Sequence, residues 1–239
     1  MADKYVDIDT LKYMLYDVHK LEDLLDRERF VDHDKESLDM FLESTKDFAD
    51  RELFPYIKEM DEKPAYHKDG KVYVHSQVET MMKKGGELGF ISASFDYDIG
   101  GMQIPLMAHT AATYILDAAN NHLPGYAGLT QGAAELIIHF ASKDLVDTYV
   151  PNMLSGNWGG TMCLTEPQAG SSLSDIITKA KPTQNGYYNI TGQKIFISGG
   201  DNQFAENIVH LVLARVEGAA KGTKGISLFI VPKNRKNTS

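Results

Sequence analysis

Two runs decide how this chain reads: Thr161–Gly170, TMCLTEPQAG, and Lys194–Gly200, KIFISGG. The first opens as an apolar strand, turns at Glu166-Pro167 and passes into Gly170, Ser171 and Ser172. The second reads as the end of a strand over Gln193–Ser198, offering an aromatic ring (Phe196), a hydroxyl (Ser198) and then two glycines. A ring beside short hydroxyls and exposed backbone N–H groups suits a planar heterocycle with polar edges.

Outward from these runs the chain divides near Gly156. Downstream, short β-rich segments alternate with turns: Trp158–Thr165, Tyr187–Ile190, Gln193–Ser198, Ile208–Arg215 and Ile226–Val231. The turn pairs Asn185-Gly186 and Thr191-Gly192 have the spacing of an antiparallel barrel or sandwich. Upstream, apolar residues recur at three- and four-residue steps, the mark of amphipathic helices. Residues 7–27 read as an amphipathic helix or hairpin, with Ile8, Leu11, Leu15, Val18, Leu21, Leu24 and Leu25 on its apolar side. Residues 34–60 read as another helix, kinked or ended by Pro55. Residues 61–74 read as a loop, followed by helices over 76–88, 106–119, 132–140 and 144–154. The expected fold is therefore α+β: a helical N-terminal domain (1–155), then an antiparallel β-barrel or sandwich domain (156–239).

Composition narrows the function classes. Apolar residues make up 43% and charged residues 24%, as in an ordinary globular protein. The net charge of −9, from 24 Lys and Arg against 33 Asp and Glu, leaves no basic stripe to neutralise nucleic-acid phosphates. A single cysteine, Cys163, rules out an intrachain disulfide and fits a reducing compartment. No run approaches the roughly 18 apolar residues that span a bilayer. The start, MADKYVDIDT, has neither a signal-peptide nor a transit-peptide pattern. Cytoplasm is the expected location, with neither membrane nor nucleic acid as a partner. The eight histidines show no HxxxH or HExxH spacing, so no metal site is expected.

The two quoted runs resemble the flavin-contacting motifs of the acyl-CoA dehydrogenase family, roughly LTEPxAGS followed by K-[WF]-I-[TS]. The continuation from Asp201 to Lys233, and PGYAGLTQGAAELI upstream, are most similar to the long bacterial branch that includes 3-methylmercaptopropionyl-CoA dehydrogenases. The resemblance implies FAD-dependent α,β-dehydrogenation of an acyl-CoA thioester: a carboxylate removes the α-proton while the β-hydrogen leaves as hydride to flavin N5. It further implies electron-transfer flavoprotein as acceptor and a homodimer or homotetramer. Oxygen as acceptor, in an acyl-CoA oxidase on the same fold, is the enzymatic alternative.

By this resemblance Met162, Leu164 and Thr165 line the flavin, and the Thr165 hydroxyl meets its pyrimidine edge. Gly170 and Ser171 approach flavin phosphate or CoA, and Ser171 with Leu164 also meets substrate. Phe196 covers the flavin, flanked by Ile197, and Ser198 supplies a hydroxyl for N5 or O4. From the residues alone, Thr165 also reads as a β-favouring residue before a turn, Gly170-Ser171 as a solvated turn and Phe196 as plain core. The family's usual Asp after the serine is replaced by Ser172, and the next carboxylate is Asp175. Glu166 reads as a structural residue of the Glu-Pro turn, and Cys163 as buried. Tyr126–Gln131 reads either as part of an acyl pocket or as a helix start capped by Thr130. Lys221, Lys224, Lys233, Arg235 and Lys236 read as attracting CoA phosphates or as a solvated turn and tail.

In the family a helical bundle carrying the catalytic glutamate follows the β-domain. This sequence ends at Asn237-Thr238-Ser239, inside what reads as that β-domain, so no catalytic residue is assigned and the 239-residue chain is expected to be inactive alone. A non-catalytic flavin- or partner-binding fragment is the alternative from another class.

Overall fold

A computed structural model describes residues 5–235; Lys236 and the terminal Asn237-Thr238-Ser239 lie outside the described residues. The chain is mainly helical up to Leu154 and β-rich afterwards, the α+β order that the patterning predicts.

The first helical stretch is broken rather than continuous. Helix α1 (Ile8–Tyr13) passes into a π-helical turn over Met14–Val18, and a short helix α2 (Glu22–Leu25) follows. Lys20, at φ 53°, interrupts the helical path between them, which apolar periodicity alone does not reveal. Helix α3 (Lys35–Phe48) starts at a capping box: the Ser37 N–H donates to Asp34 Oδ1 at 2.8 Å, and the Asp34 N–H donates to Ser37 Oγ at 2.9 Å. Its buried face carries Leu38, Phe41, Leu42 and Phe48, with Phe41 and Phe48 against the Phe90 ring. Near Pro55 the helix loosens through a π turn and a 3-10 turn before α4 (Ile57–Glu62).

Residues 61–74, read as a loop, contain a two-stranded hairpin, β1 (Tyr66–Lys68) and β2 (Lys71–Tyr73). Its turn is Asp69-Gly70, and stacked Tyr66 and Tyr73 rings brace it. Three residues per strand are too few to show a period of two.

Helix α5 (Gln77–Glu87) precedes an irregular loop, and α6 (Leu106–Asn120) is alanine-rich and buried along most of its length. Helix α7 (Pro124–Phe140) starts well before residue 132, because Pro124 sets the first turn ahead of glycines that look like breakers. Thr130 consequently lies inside the helix and does not cap it. Helix α8 (Lys143–Leu154) completes the helical part.

The second half is a five-stranded sheet built on its longest strand. Strand β3 (Trp158–Cys163) runs parallel to the first half of β6 (Asn207–Val216). Strand β4 (Lys179–Pro182) pairs in parallel with the last residues of β6 and antiparallel with β5 (Tyr188–Thr191). Strand β7 (Ile226–Pro232) returns antiparallel along β6. Two of the four pairings are thus parallel where turn spacing suggested antiparallel pairs throughout. The long excursions between β3, β4 and β6 let strands re-enter in the same direction. Because β7 overlaps both stretches of β6, β3 and β4 share its other edge, one replacing the other.

One apolar core joins the two halves: Trp158, Val209 and Leu211 from the sheet pack with the buried faces of α3, α5, α6, α7 and α8. The closest seam is α7 on β3. A Cβ on Gly160 would lie 2.8 Å from Met153 Cε, 2.9 Å from Ala133 Cβ and 2.9 Å from Thr130 Cα. The Gly160 N–H donates to Thr130 Oγ1 at 3.0 Å across that seam.

Candidate functional site

The residues picked out by sequence lie where the edge of β6 passes from β3 to β4. Leu164–Thr178 leaves the sheet there, and 192–198 comes back beside it. The chain turns at Glu166, which pairs with Ala169 through reciprocal backbone hydrogen bonds of 2.8 and 3.1 Å.

Residues 193–198 do not form the expected strand. A Cβ on Gly192 would collide with the Thr178 side chain, so the chain leaves β5 through a position that only glycine fits. Phe196, at φ 56°, then bends it out of extended conformation. A bulky residue in the left-handed region is strained, and such strain gathers at ligand sites. The ring is not core: Phe196 is 89% exposed, and Ser198 beside it is exposed too.

What replaces the ladder is a set of polar bonds. The Ile195 N–H donates to the Thr165 carbonyl at 3.0 Å. Lys194 Nζ donates to the Leu164 carbonyl and to Glu166 Oε1, both at 2.9 Å. Glu166 also accepts from the Ile177 N–H (2.8 Å), the Thr178 N–H (3.1 Å) and Gln168 Nε2 (2.7 Å). Burial pushes the Glu166 carboxyl up, but hydrogen bonds from Thr178, the Ile177 N–H, Lys194 and Gln168 outweigh it, and the group is lowered to about 2. The structural reading of Glu166 is thereby explained, whereas Lys194, the first residue of the second run, carried no role of its own in the sequence; a lysine two residues before an aromatic gives no signal of being buried.

The fold therefore ties Leu164 and Thr165 to Lys194 and Ile195, the residues that lead into Phe196–Ile197–Ser198. Met162 is half-buried and packs toward the helical core. Gly170 and the exposed Ser171 stand beyond the turn, and among the described residues no hydrogen bond links them to Phe196–Ser198. Cys163 is buried, its thiol pushed up by that burial. On the helical side, the Tyr126 ring approaches Gly199, a Cβ there lying 3.4 Å from Tyr126 Cδ1. Tyr126 and Leu129 line a narrow cleft that reaches Gly199 and Phe204.

An exposed, conformationally held aromatic ring beside Ser198 and the Thr165 turn fits a flat heteroaromatic group with hydrogen-bonding edges. Among the described residues no cluster of His, Cys, Asp or Glu could hold a metal ion, and no helix is long and apolar enough to cross a membrane.

Comparison with known proteins follows the same division. The acyl-CoA dehydrogenase N-terminal domain matches residues 35–157, and the acyl-CoA dehydrogenase middle domain matches residues 161–239. The 3-methylmercaptopropionyl-CoA dehydrogenase of Ruegeria pomeroyi is 38% identical over 192 residues, covering 80% of this chain and 33% of that protein. A butyryl-CoA dehydrogenase of Syntrophomonas wolfei is 45% identical over 132 residues, 55% of this chain and 22% of that protein. The acyl-CoA dehydrogenase of Bacillus anthracis, solved in complex with FAD, superposes with a TM-score of 0.69 at 23% identity, over 85% of this chain and 32% of that one. The chain spans about a third or less of the length of these relatives. With consecutive matches to both domains, the first alone over half of its residues, the chain belongs to the acyl-CoA dehydrogenase family.

Proposed function

We propose that this chain carries the flavin-binding part of an enzyme that dehydrogenates an acyl-CoA thioester between its α and β carbons. The observation that carries the reading is Phe196: a strained, 89% exposed ring fixed beside Ser198 and bonded through Ile195 to the Thr165 turn. In this reading Phe196 lies over the flavin with Ile197 at its side. Thr165 and Ser198 supply hydroxyls to its polar edge, Met162 and Leu164 supply apolar contact, and Gly170 and Ser171 meet phosphate or substrate. FAD, when bound, supplies the hydride acceptor. The chain's own residues orient it and keep water from one face. The proton-abstracting carboxylate is not assigned among these residues, and Glu166 is unsuited to the role because its four acceptor directions are already used. Electron-transfer flavoprotein as acceptor and a homodimer or homotetramer complete the reading, on family membership.

The test is a titration of the purified chain with FAD, followed by visible absorption. Stoichiometric uptake is expected. Phe196→Gly should weaken it at least about tenfold, as loss of an aromatic stacking contact does, while leaving thermal stability equal or higher, because glycine relieves the left-handed strain. A chain that takes up no FAD, or a variant that binds it as wild type does, refutes the assignment.

A further inference from the structure

Between Thr191 and Gly199 the chain has no regular strand, yet it holds Phe196 in a strained conformation. Its fixed points are few: Ile195 N–H to the Thr165 carbonyl, and Lys194 Nζ to the Leu164 carbonyl and to Glu166. The Glu166 side chain is 0% exposed and that of Lys194 is 11% exposed. Each carboxylate oxygen takes two donors: Thr178 N–H and Lys194 on Oε1, Ile177 N–H and Gln168 on Oε2. These donors come from three separate pieces of chain: the turn itself, the entry to β4, and the returning segment.

A buried ion pair is a poor means of gaining stability, because desolvating two charges consumes most of what their attraction returns. What such a pair does provide is direction, since charge-assisted bonds are short and geometrically selective. Here the directions converge on the two residues flanking Thr165 and on the residue two before Phe196.

Resting on the cofactor reading above, we infer that the buried Glu166–Lys194 pair is a positioning device: it touches no ligand and sets Thr165 and Phe196–Ser198 at the mutual spacing that a bound flavin requires. Glu166 fixes the turn and Lys194 carries the opposite segment to it. Breaking the pair should therefore loosen the site selectively, leaving the sheet behind it ordered, because β6 is held by its own ladders to β3, β4 and β7.

The experiment compares wild type, Lys194→Met and Lys194→Arg in the full chain. It measures FAD affinity by visible titration at a temperature where circular dichroism shows every protein folded, and amide hydrogen exchange by peptide. Lys194→Met is expected to weaken FAD binding about tenfold or more, the size seen when partners behind direct ligands are removed. It should speed exchange over 194–199 and leave β6 protected. Lys194→Arg, which keeps the charge and the donors, should restore most of the affinity. Unchanged affinity in Lys194→Met overturns the inference, as does a loss accompanied by equally faster exchange throughout β6. A wild-type chain that takes up no FAD overturns the cofactor reading and this inference with it; a binding wild type beside an unaffected Lys194→Met overturns this inference alone.

Discussion

Adding one methyl group at Gly160 tests whether the helices and the sheet form a single packed body. The Cβ of Gly160→Ala would stand 2.8 Å from Met153 Cε, 2.9 Å from Ala133 Cβ and 2.9 Å from Thr130 Cα. The methionine end can swing aside. Ala133 and the Thr130 backbone belong to α7 and move only if the helix moves. That shift would also stretch the 3.0 Å bond from the Gly160 N–H to Thr130 Oγ1, threatening a buried donor. Overpacking of this kind costs about 1–3 kcal/mol. At roughly 2–4 °C per kcal/mol for a chain of this size, the melting temperature should fall by about 2–12 °C. Gly128→Ala on the same helix is the control. No atom lies within 4 Å of its Cβ, so only helix propensity acts, and stability should rise by up to about 1 kcal/mol. The assay is urea unfolding followed by circular dichroism, with thermal melts alongside. Equal stability of Gly160→Ala and wild type, or shifts of the same sign in both variants, would refute the packing described for α7 on β3.

Two further outcomes follow from the geometry. Glu166, lowered to about 2 from an ordinary 4.5, contributes stability that is complete above pH 4.5 and is lost as pH falls toward 2, about 3 kcal/mol in all. The gap in unfolding free energy between wild type and Glu166→Gln should therefore narrow over that window, and a gap independent of pH would show that the carboxylate is not held as described. Asp34→Ala should cost about 1 kcal/mol by removing the cap of α3, and measurements of Asp34→Asn should show most of it retained.

The sequence by itself determined the larger architecture. Apolar residues at helical spacing mark α5, α6 and α8, and the start of α3, to within a residue or two, because each buries one face. The change to β-rich composition marks where the sheet begins. The motif runs were legible too, since Thr165-Glu166-Pro167 and Phe196-Ile197-Ser198 are local strings that the fold leaves intact. Only the tertiary structure decided the rest. The break at Lys20 and the early start of α7 at Pro124 depend on backbone conformations that periodicity does not encode. Strand direction depends on which edge of β6 each strand meets, a choice made across tens of residues. Phe196 read as either a core ring or a cofactor ring, and only its exposure in the fold rules out the core. The partnership of Glu166 with Lys194 joins residues 28 apart in the sequence, and nothing in either residue's neighbours foretold it. Local pattern reports which face of an element prefers burial; pairing between distant segments depends on where the whole chain closes, and that is settled only when the core packs.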